Sequence, residues 1–333
     1  MSGAVIFGTE GGVLSPWERD FLRDADPWGF ILFDRNLGTP KEIRRLCGQM
    51  REAVGRDAPI LIDQEGGRVQ RLRPPVAREW MPPLDFVQGL PAGERAEAMR
   101  LRYRYIAWEL RNLGIDVNCA PQLDVAVEET HPFLRNRCYG TEAEAVAEIG
   151  AAVAEGHLAG GVLPIAKHIP GHGRGTVDSH LDLPVVDADR EALEVDFAPF
   201  AALKDICMAM TAHIVYPALD PEACATLSPV VIAHIRQEIG FDGLLMTDDL
   251  SMEALGGSYR GRVEGALKAG CDLILHCNGH RDEMLEIADA TPALTGRAAE
   301  RAEAALDQRR EPEEFDAKGA ARELDELEAR AGG

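Results

Sequence analysis

Eight short apolar runs constrain the fold more than any other feature of this chain. They are AVIFG (4–8), GFILF (29–33), PILID (59–63), DVNCA (116–120), VLPIAKH (162–168), MAMTAHI (208–214), GLLMTD (243–248) and CDLILHC (271–277). Most are continuously apolar rather than alternating, which marks strands buried on both faces, as in a parallel sheet covered by helices. Between them lie stretches with their charges on one face, at 16–24, 40–54, 93–113, 141–159, 189–204, 228–239, 259–269 and 280–290. Eight strands and eight helices in strictly alternating order predict an α/β fold, a single (β/α)8 TIM-type barrel. An open doubly wound sheet shares the local pattern. The ring is preferred because the candidate functional residues follow strands 3, 5, 6 and 7, and only a closed ring brings those ends to one point.

The barrel is expected over residues 1–295. The remaining residues, 296–333, are rich in Ala, Glu and Arg at helical spacing, and Pro312 splits them into two helices. This helical extension is expected to pack on the barrel exterior or to fray. The Gly/Pro clusters at 73–91 and 169–184 read as loops rather than domain boundaries. With 35 basic against 56 acidic residues, the formal charge is -21. That argues against nucleic acid or anionic membrane as a partner, since phosphate binding needs clustered Lys and Arg. The seven cysteines form no CxxC pair, and several sit in apolar runs, as reduced thiols do. The segment MSGAVIFGTEGG lacks the basic region and long apolar stretch of a signal peptide. A cytoplasmic protein with no obligate protein partner is expected.

Candidate chemistry concentrates in AKHIPGHGRGTVDSHLDLP (166–184), which holds His168, His172, His180, Asp178 and Asp182. In Asp178-Ser179-His180 a carboxylate two residues from an imidazole can accept its N–H and raise its basicity, giving a general acid/base near neutral pH. The plainer reading is an exposed loop histidine beside a capping Asp. Asp248, in GLLMTDDLSM, ends strand 7 at the barrel face where active sites form; a carboxylate there attacks an anomeric carbon or binds a cation. Asp248 or Asp249 is equally placed to cap a helix start, and the two acids divide the two readings between them. Lys167 and His168 end strand 5, Asp63 ends strand 3 and His213 ends strand 6. Each is either functional or a satisfied structural ion pair. Gly66 and Gly67 permit a tight turn after strand 3. There is no GxxxxGK[ST], and no GxGxxG follows the first strand, so no nucleotide cofactor is expected.

Together IDQEGGRVQRL, KHIPGHG with DSHLDLP, AHIVYPALD and MTDDLSM, in that order and at strand ends, resemble the β-N-acetylglucosaminidases of glycoside hydrolase family 3, in particular the bacterial cell-wall-recycling type. The resemblance runs from about Gly8 to Cys277. It implies a retaining hydrolase needing no metal or cofactor, with Asp248 as nucleophile and His180, paired with Asp178, as acid/base. This departs from the two-carboxylate pattern of most glycosidases. It also implies sugar contacts from Asp63, Arg137, Lys167 and His168, and N-acetylglucosaminyl-(anhydro)muramyl peptides as substrate. The chain departs from the family at Arg174-Gly175, where Asp-Thr is usual after PGHG, and at Thr247, where Ser is more usual. Two readings of that departure are open: a more flexible loop, or Arg174 meeting an acidic part of the substrate.

Other readings compete. A metal-dependent hydrolase would draw ligands from His168, His172, His180, His213 and Asp248, but His168 and His172 are separated by Pro170-Gly171, and AVIFGTEGG carries no His-x-His. A sugar-binding protein without turnover would not need the intact acid pair and histidine. The substrate's acetamido group as nucleophile, and phosphate in place of water as acceptor, are variants of the same reaction.

Overall fold

A computed structural model describes residues 2–176, 183–252 and 255–333. Its eight barrel strands are β1 (Gly3–Gly8), β2 (Pro27–Leu32), β3 (Ile60–Ile62), β4 (Val117–Asn118), β5 (Leu163–Ile169), β6 (Met208–Thr211), β7 (Leu244–Asp249) and β8 (Leu273–His276). Each pairs in parallel with its neighbours in the chain, and β1 pairs with β8 through Val5↔Ile274, Ile6↔Leu275 and Phe7↔His276. That last pairing closes the ring and rules out the open sheet.

The continuous apolar runs split between two cores with a period of two. Ile6, Ile31, Leu61, Val117, Ile165, Met208, Met246 and Leu273 pack together inside the barrel. Their chain neighbours Val5, Phe30, Ile60, Leu245 and Ile274 pack into the surrounding helical layer. Burying a side chain of this size contributes about 1.5–3 kcal/mol, so both faces of every strand are specified.

The intervening helices are α1 (Pro16–Ala25), α2 (Pro40–Val54), α3 (Arg95–Arg111), α4 (Ala143–Ala159), α5 (Arg190–Ala202), α6 (Pro229–Gln237), α7 (Tyr259–Ala269) and α8 (Arg281–Ala290). Several start where capping chemistry dictates. Ser15 and Thr39 each form a capping box with the Glu three residues on, and Pro follows each cap.

The first helix of the extension departs from expectation. This helix, α9 (Gly296–Leu306), does not lie on the exterior helices but covers the N-terminal mouth of the barrel. Ala302 and Ala305 are buried in the barrel-interior cluster with Trp28. Arg301 pairs with Asp272 (3.0 Å) and Arg309 with Asp116 (2.8 Å), both acids standing immediately before barrel strands. Small alanine side chains permit this close approach, and composition alone does not distinguish a mouth-closing helix from a solvated one. Pro312 lies between α9 and α10 (Ala317–Ala331), and α10 packs on α3.

Candidate active site

The period of two continues past the apolar layer. Asp63, Lys167, Asp248 and Cys277 each lie two residues beyond an inward apolar residue: Leu61, Ile165, Met246 and Leu275. All four line one cavity of about 430 Å³ at the C-terminal ends of the strands. Two bulges widen the polar set. The β5–β6 register shifts between Lys167 and Ile169, and the β7–β8 register between Met246 and Asp249. Bulges re-aim side chains beside active sites, and here both Lys167 and His168, and both Asp248 and Asp249, reach the cavity.

A buried ion network forms the floor. Lys167 Nζ lies 2.9 Å from Asp63 Oδ1 and 2.6 Å from Glu65 Oε1. Arg137 donates twice to Glu65, from Nε and Nη2, each at 2.9 Å. Arg71 Nη2 lies 3.3 Å from Asp63 Oδ2. Burial opposes the charge on both acids, but Lys167 and Arg71 outweigh it at Asp63, and Arg137 and Lys167 at Glu65, so both carboxyls stay below their usual range. Burial likewise opposes the charge on Lys167, and the two acids overcome it and raise its pKa. The lysine is therefore a fixed cation and not a base. The Glu65 backbone is itself held, its carbonyl accepting from Arg102 and Tyr103.

Asp124, from the loop after β4, organises the histidines. Its Oδ2 accepts from His168 Nδ1 at 2.8 Å, and its Oδ1 accepts the backbone N–H groups of His168 and His172 at 3.2 and 2.6 Å. Despite burial, His168 and these N–H groups hold the Asp124 carboxyl down at about 2. With Nδ1 donating to Asp124, the His168 Nε2 is left for a ligand. Burial, reinforced by His168, pushes His172 down to about 3, so it is a neutral ring.

Asp248 and Asp249 are placed differently. Asp249 Oδ1 accepts from the N–H groups of Ser251 and Cys277, and its Oδ2 accepts from Ser251 Oγ at 2.6 Å. It holds the β7 turn together. Asp248 Oδ1 accepts the N–H of Asp249 at 2.8 Å, and its side chain lines the cavity. His213 does not reach the cavity. Its ring lies 2.7 Å from Thr226 Oγ1 and 3.1 Å from the Asp249 carbonyl, which it supports.

Of the residues expected from the sequence, Asp63, Arg137, Lys167, His168 and Asp248 thus surround one cavity. Asp178 and His180 lie outside the described residues. Arg174 does not face the cavity; it pairs with Asp196 on α5 at 2.7 Å. Sequence reasoning missed Glu65, Asp124, Arg68, Arg71 and Phe133. Glu65 was visible as the acid before the Gly-Gly turn; Asp124 carried no local signal. Among the described residues no three His, Cys, Asp or Glu side chains stand together as a metal site; His180, one of the ligands of the metal-dependent reading, lies outside them.

The chain is similar to known glycosidases along its length. A beta-hexosaminidase of Xylella fastidiosa (strain 9a5c) is 35% identical over 302 residues, 88% of this chain and 87% of that protein. The beta-hexosaminidase of Pseudomonas aeruginosa (strain LESB58) is 33% identical over 296 residues, 86% of each chain. Among solved structures, a family 3 beta-N-acetylglucosaminidase from Paenibacillus sp. str. FPU-7 superposes with a TM-score of 0.88 at 29% identity, covering 98% of this chain and 67% of that one. NagZ from Neisseria gonorrhoeae, solved with N-trifluoroacetyl-D-glucosamine, gives 0.83 at 29% identity, covering 99% and 96%. The model of the glycosyl hydrolase family 3 N-terminal domain matches residues 16–309, and the chain belongs to that family as a glycoside hydrolase.

Proposed function

We propose that this enzyme is a retaining β-N-acetylhexosaminidase that removes terminal, non-reducing β-linked N-acetylglucosamine, with N-acetylglucosaminyl-(anhydro)muramyl peptides of cell-wall turnover as the natural substrate. The observation that carries the reading is Asp248, a carboxylate at the end of β7 that lines one cavity together with Asp63, Arg137, Lys167 and His168. The beta-hexosaminidase relatives support the N-acetyl specificity.

In the reaction, Asp248 attacks the anomeric carbon as the bond to the leaving oxygen breaks. His180, oriented by Asp178, delivers the proton to that oxygen. The product is a glycosyl ester of Asp248. Neutral His180 then takes a proton from water, which attacks the same carbon and frees Asp248. The transition state is oxocarbenium-like, and the negative charge of Asp248 beneath it is stabilising. Asp63, Lys167, Arg137 and His168 Nε2 hold the sugar hydroxyls; fixing one ring against a preformed network supplies orientation without reorganisation.

All seven cysteines are buried free thiols, and no helix of the described residues is long and apolar enough to cross a membrane. The free thiols support action on imported wall fragments in a reducing cytoplasm. The test is cleavage of 4-nitrophenyl N-acetyl-β-glucosaminide against the β-glucoside, with and without phosphate, followed by mass spectrometry of the enzyme trapped with a slow 2-fluoro or 5-fluoro glycoside. Selective cleavage of the N-acetyl substrate and a glycosyl adduct on the Asp248 peptide support the reading. Absence of both overturns it.

A further inference from the structure

Arg68 differs from every other cation at the cavity. Lys167, Arg137 and Arg71 each hold an acid, and Arg174 is committed to Asp196. Arg68 has no carboxylate partner among the described residues; its guanidinium lies over the Phe133 ring, 4.0 Å from the centroid. Among the described residues it is also the one exposed side chain lining the cavity, so it marks the mouth.

Its position is fixed rather than incidental. Arg68 sits in the turn between the short strands Gln64–Gly66 and Val69–Gln70. Gly66 and Gly67 have φ of 105° and 58°, and a Cβ there would meet Arg102 Nη2 at 1.9 Å and Pro82 Cα at 2.8 Å. The turn is thus pressed against the protein, with the Gly67 N–H donating to the Trp80 carbonyl at 2.8 Å. Stacking on Phe133 orients the planar fork and leaves its N–H edge open. In a chain with 56 acidic residues, a cation stacked on a ring with no acid beside it among the described residues is poised for an anion from outside.

We infer that Arg68 forms a carboxylate-binding subsite at the cavity mouth, reading an acidic group on the leaving-group side of the substrate. This rests on the β-N-acetylhexosaminidase reading. The terminal sugar occupies the cavity against Asp248, and everything beyond the scissile bond leaves through the mouth, past Arg68. The carboxylate accepts two N–H bonds from the guanidinium. Arg174, the cation that the sequence singled out for this task, is turned away to α5.

The test compares two disaccharides with the same β-1,4 linkage. N,N′-diacetylchitobiose has a neutral leaving sugar; N-acetylglucosaminyl-N-acetylmuramic acid carries a lactyl carboxylate. The readout is the ratio of their kcat/KM values, acidic over neutral, for the wild type, R68Q and R68K. Because both substrates are measured on one preparation, a loss of folded enzyme cancels in the ratio. The wild-type ratio is expected at about tenfold or more in favour of the acid. It is expected to fall towards one in R68Q, recover in part in R68K, and shrink at about 0.5 M salt. A wild-type ratio near one, or a ratio that R68Q leaves unchanged, overturns the inference. So does a wild type that cleaves the aryl glycoside but not the acidic disaccharide. Aryl N-acetylglucosaminide cleavage is scored separately, so the subsite can fail while the reaction stands.

Discussion

Asp248 and Asp249 are adjacent in the chain, and the N–H of Asp249 donates to Asp248 Oδ1 at 2.8 Å, yet only Asp249 ties its side chain to Ser251 and to the backbone of β8's exit at Cys277. The two acids should therefore fail in different ways. Asp248→Asn is expected to lower kcat about 10³-fold or more with little change in thermal unfolding, because it removes the attacking oxygen. Asp249→Ala is expected to cost on the order of 3 kcal/mol of stability by orphaning the turn's donors. Parallel kinetics and melting curves on the two variants check the division; equal melting points with equal activity loss would sink it.

A histidine acid is needed only where the leaving group needs a proton. His180→Ala is expected to slow cleavage of disaccharides about 10²–10⁴-fold. The first step on 4-nitrophenyl glycosides should be far less affected, since a phenolate departs unaided. Release of the glycosyl enzyme then becomes slow, so a burst of nitrophenolate appears and added azide speeds turnover. Equal loss on both leaving groups without a burst would remove His180 from the role.

Glu65 is the hub of the buried network, accepting from Lys167 and twice from Arg137. Glu65→Gln leaves two buried cations against Asp63 alone and is expected to destabilise by about 3–5 kcal/mol. Replacing Arg137 by Met in the same chain removes the stranded charge, so the double variant should lose less than the sum of the singles. The cations hold Glu65 below the usual carboxyl range, so its contribution is full above about pH 4 and is lost as the pH falls through its folded pKa. Urea titrations of the four proteins at neutral and acidic pH measure both effects.

The barrel was legible because each strand must bury two faces, which writes an uninterrupted apolar run into the sequence. Asp63, Lys167 and Asp248 were legible for a related reason: they interrupt such runs at the inward parity, where a charge is otherwise costly. What pairs with them was not legible. Glu65 and Arg137 are 72 residues apart, and Asp124 and His168 are 44 apart. Such contacts are made by the closing of the ring and leave no local periodicity. Arg174 misled because a loop cation looks the same whether it faces the cavity or α5. The first helix of the extension misled because alanine at helical spacing suits a solvated helix as well as the close-packed lid that α9 forms over Trp28.

Glu109 gives a pH-dependent prediction remote from catalysis. It lies on α3 with 8% of its surface exposed, and its Oε1 accepts the Arg78 N–H at 2.7 Å. The Arg78 guanidinium turns instead to Asp325 and Glu328 on α10. Burial therefore dominates and pushes the Glu109 carboxyl up to about 7. In the unfolded chain it titrates near its ordinary value of about 4.3, so between these points the folded state binds the proton more tightly. The stabilising protonated form is fully present below about pH 4 and is lost as the pH rises through 7, at a cost of about 3 kcal/mol. Glu109→Gln keeps the acceptor for Arg78 and never ionises. Its stability relative to the wild type should therefore rise between pH 5 and pH 8, as read from denaturant midpoints. A gap that does not change with pH would mean that Glu109 is ionised at little cost in the folded protein.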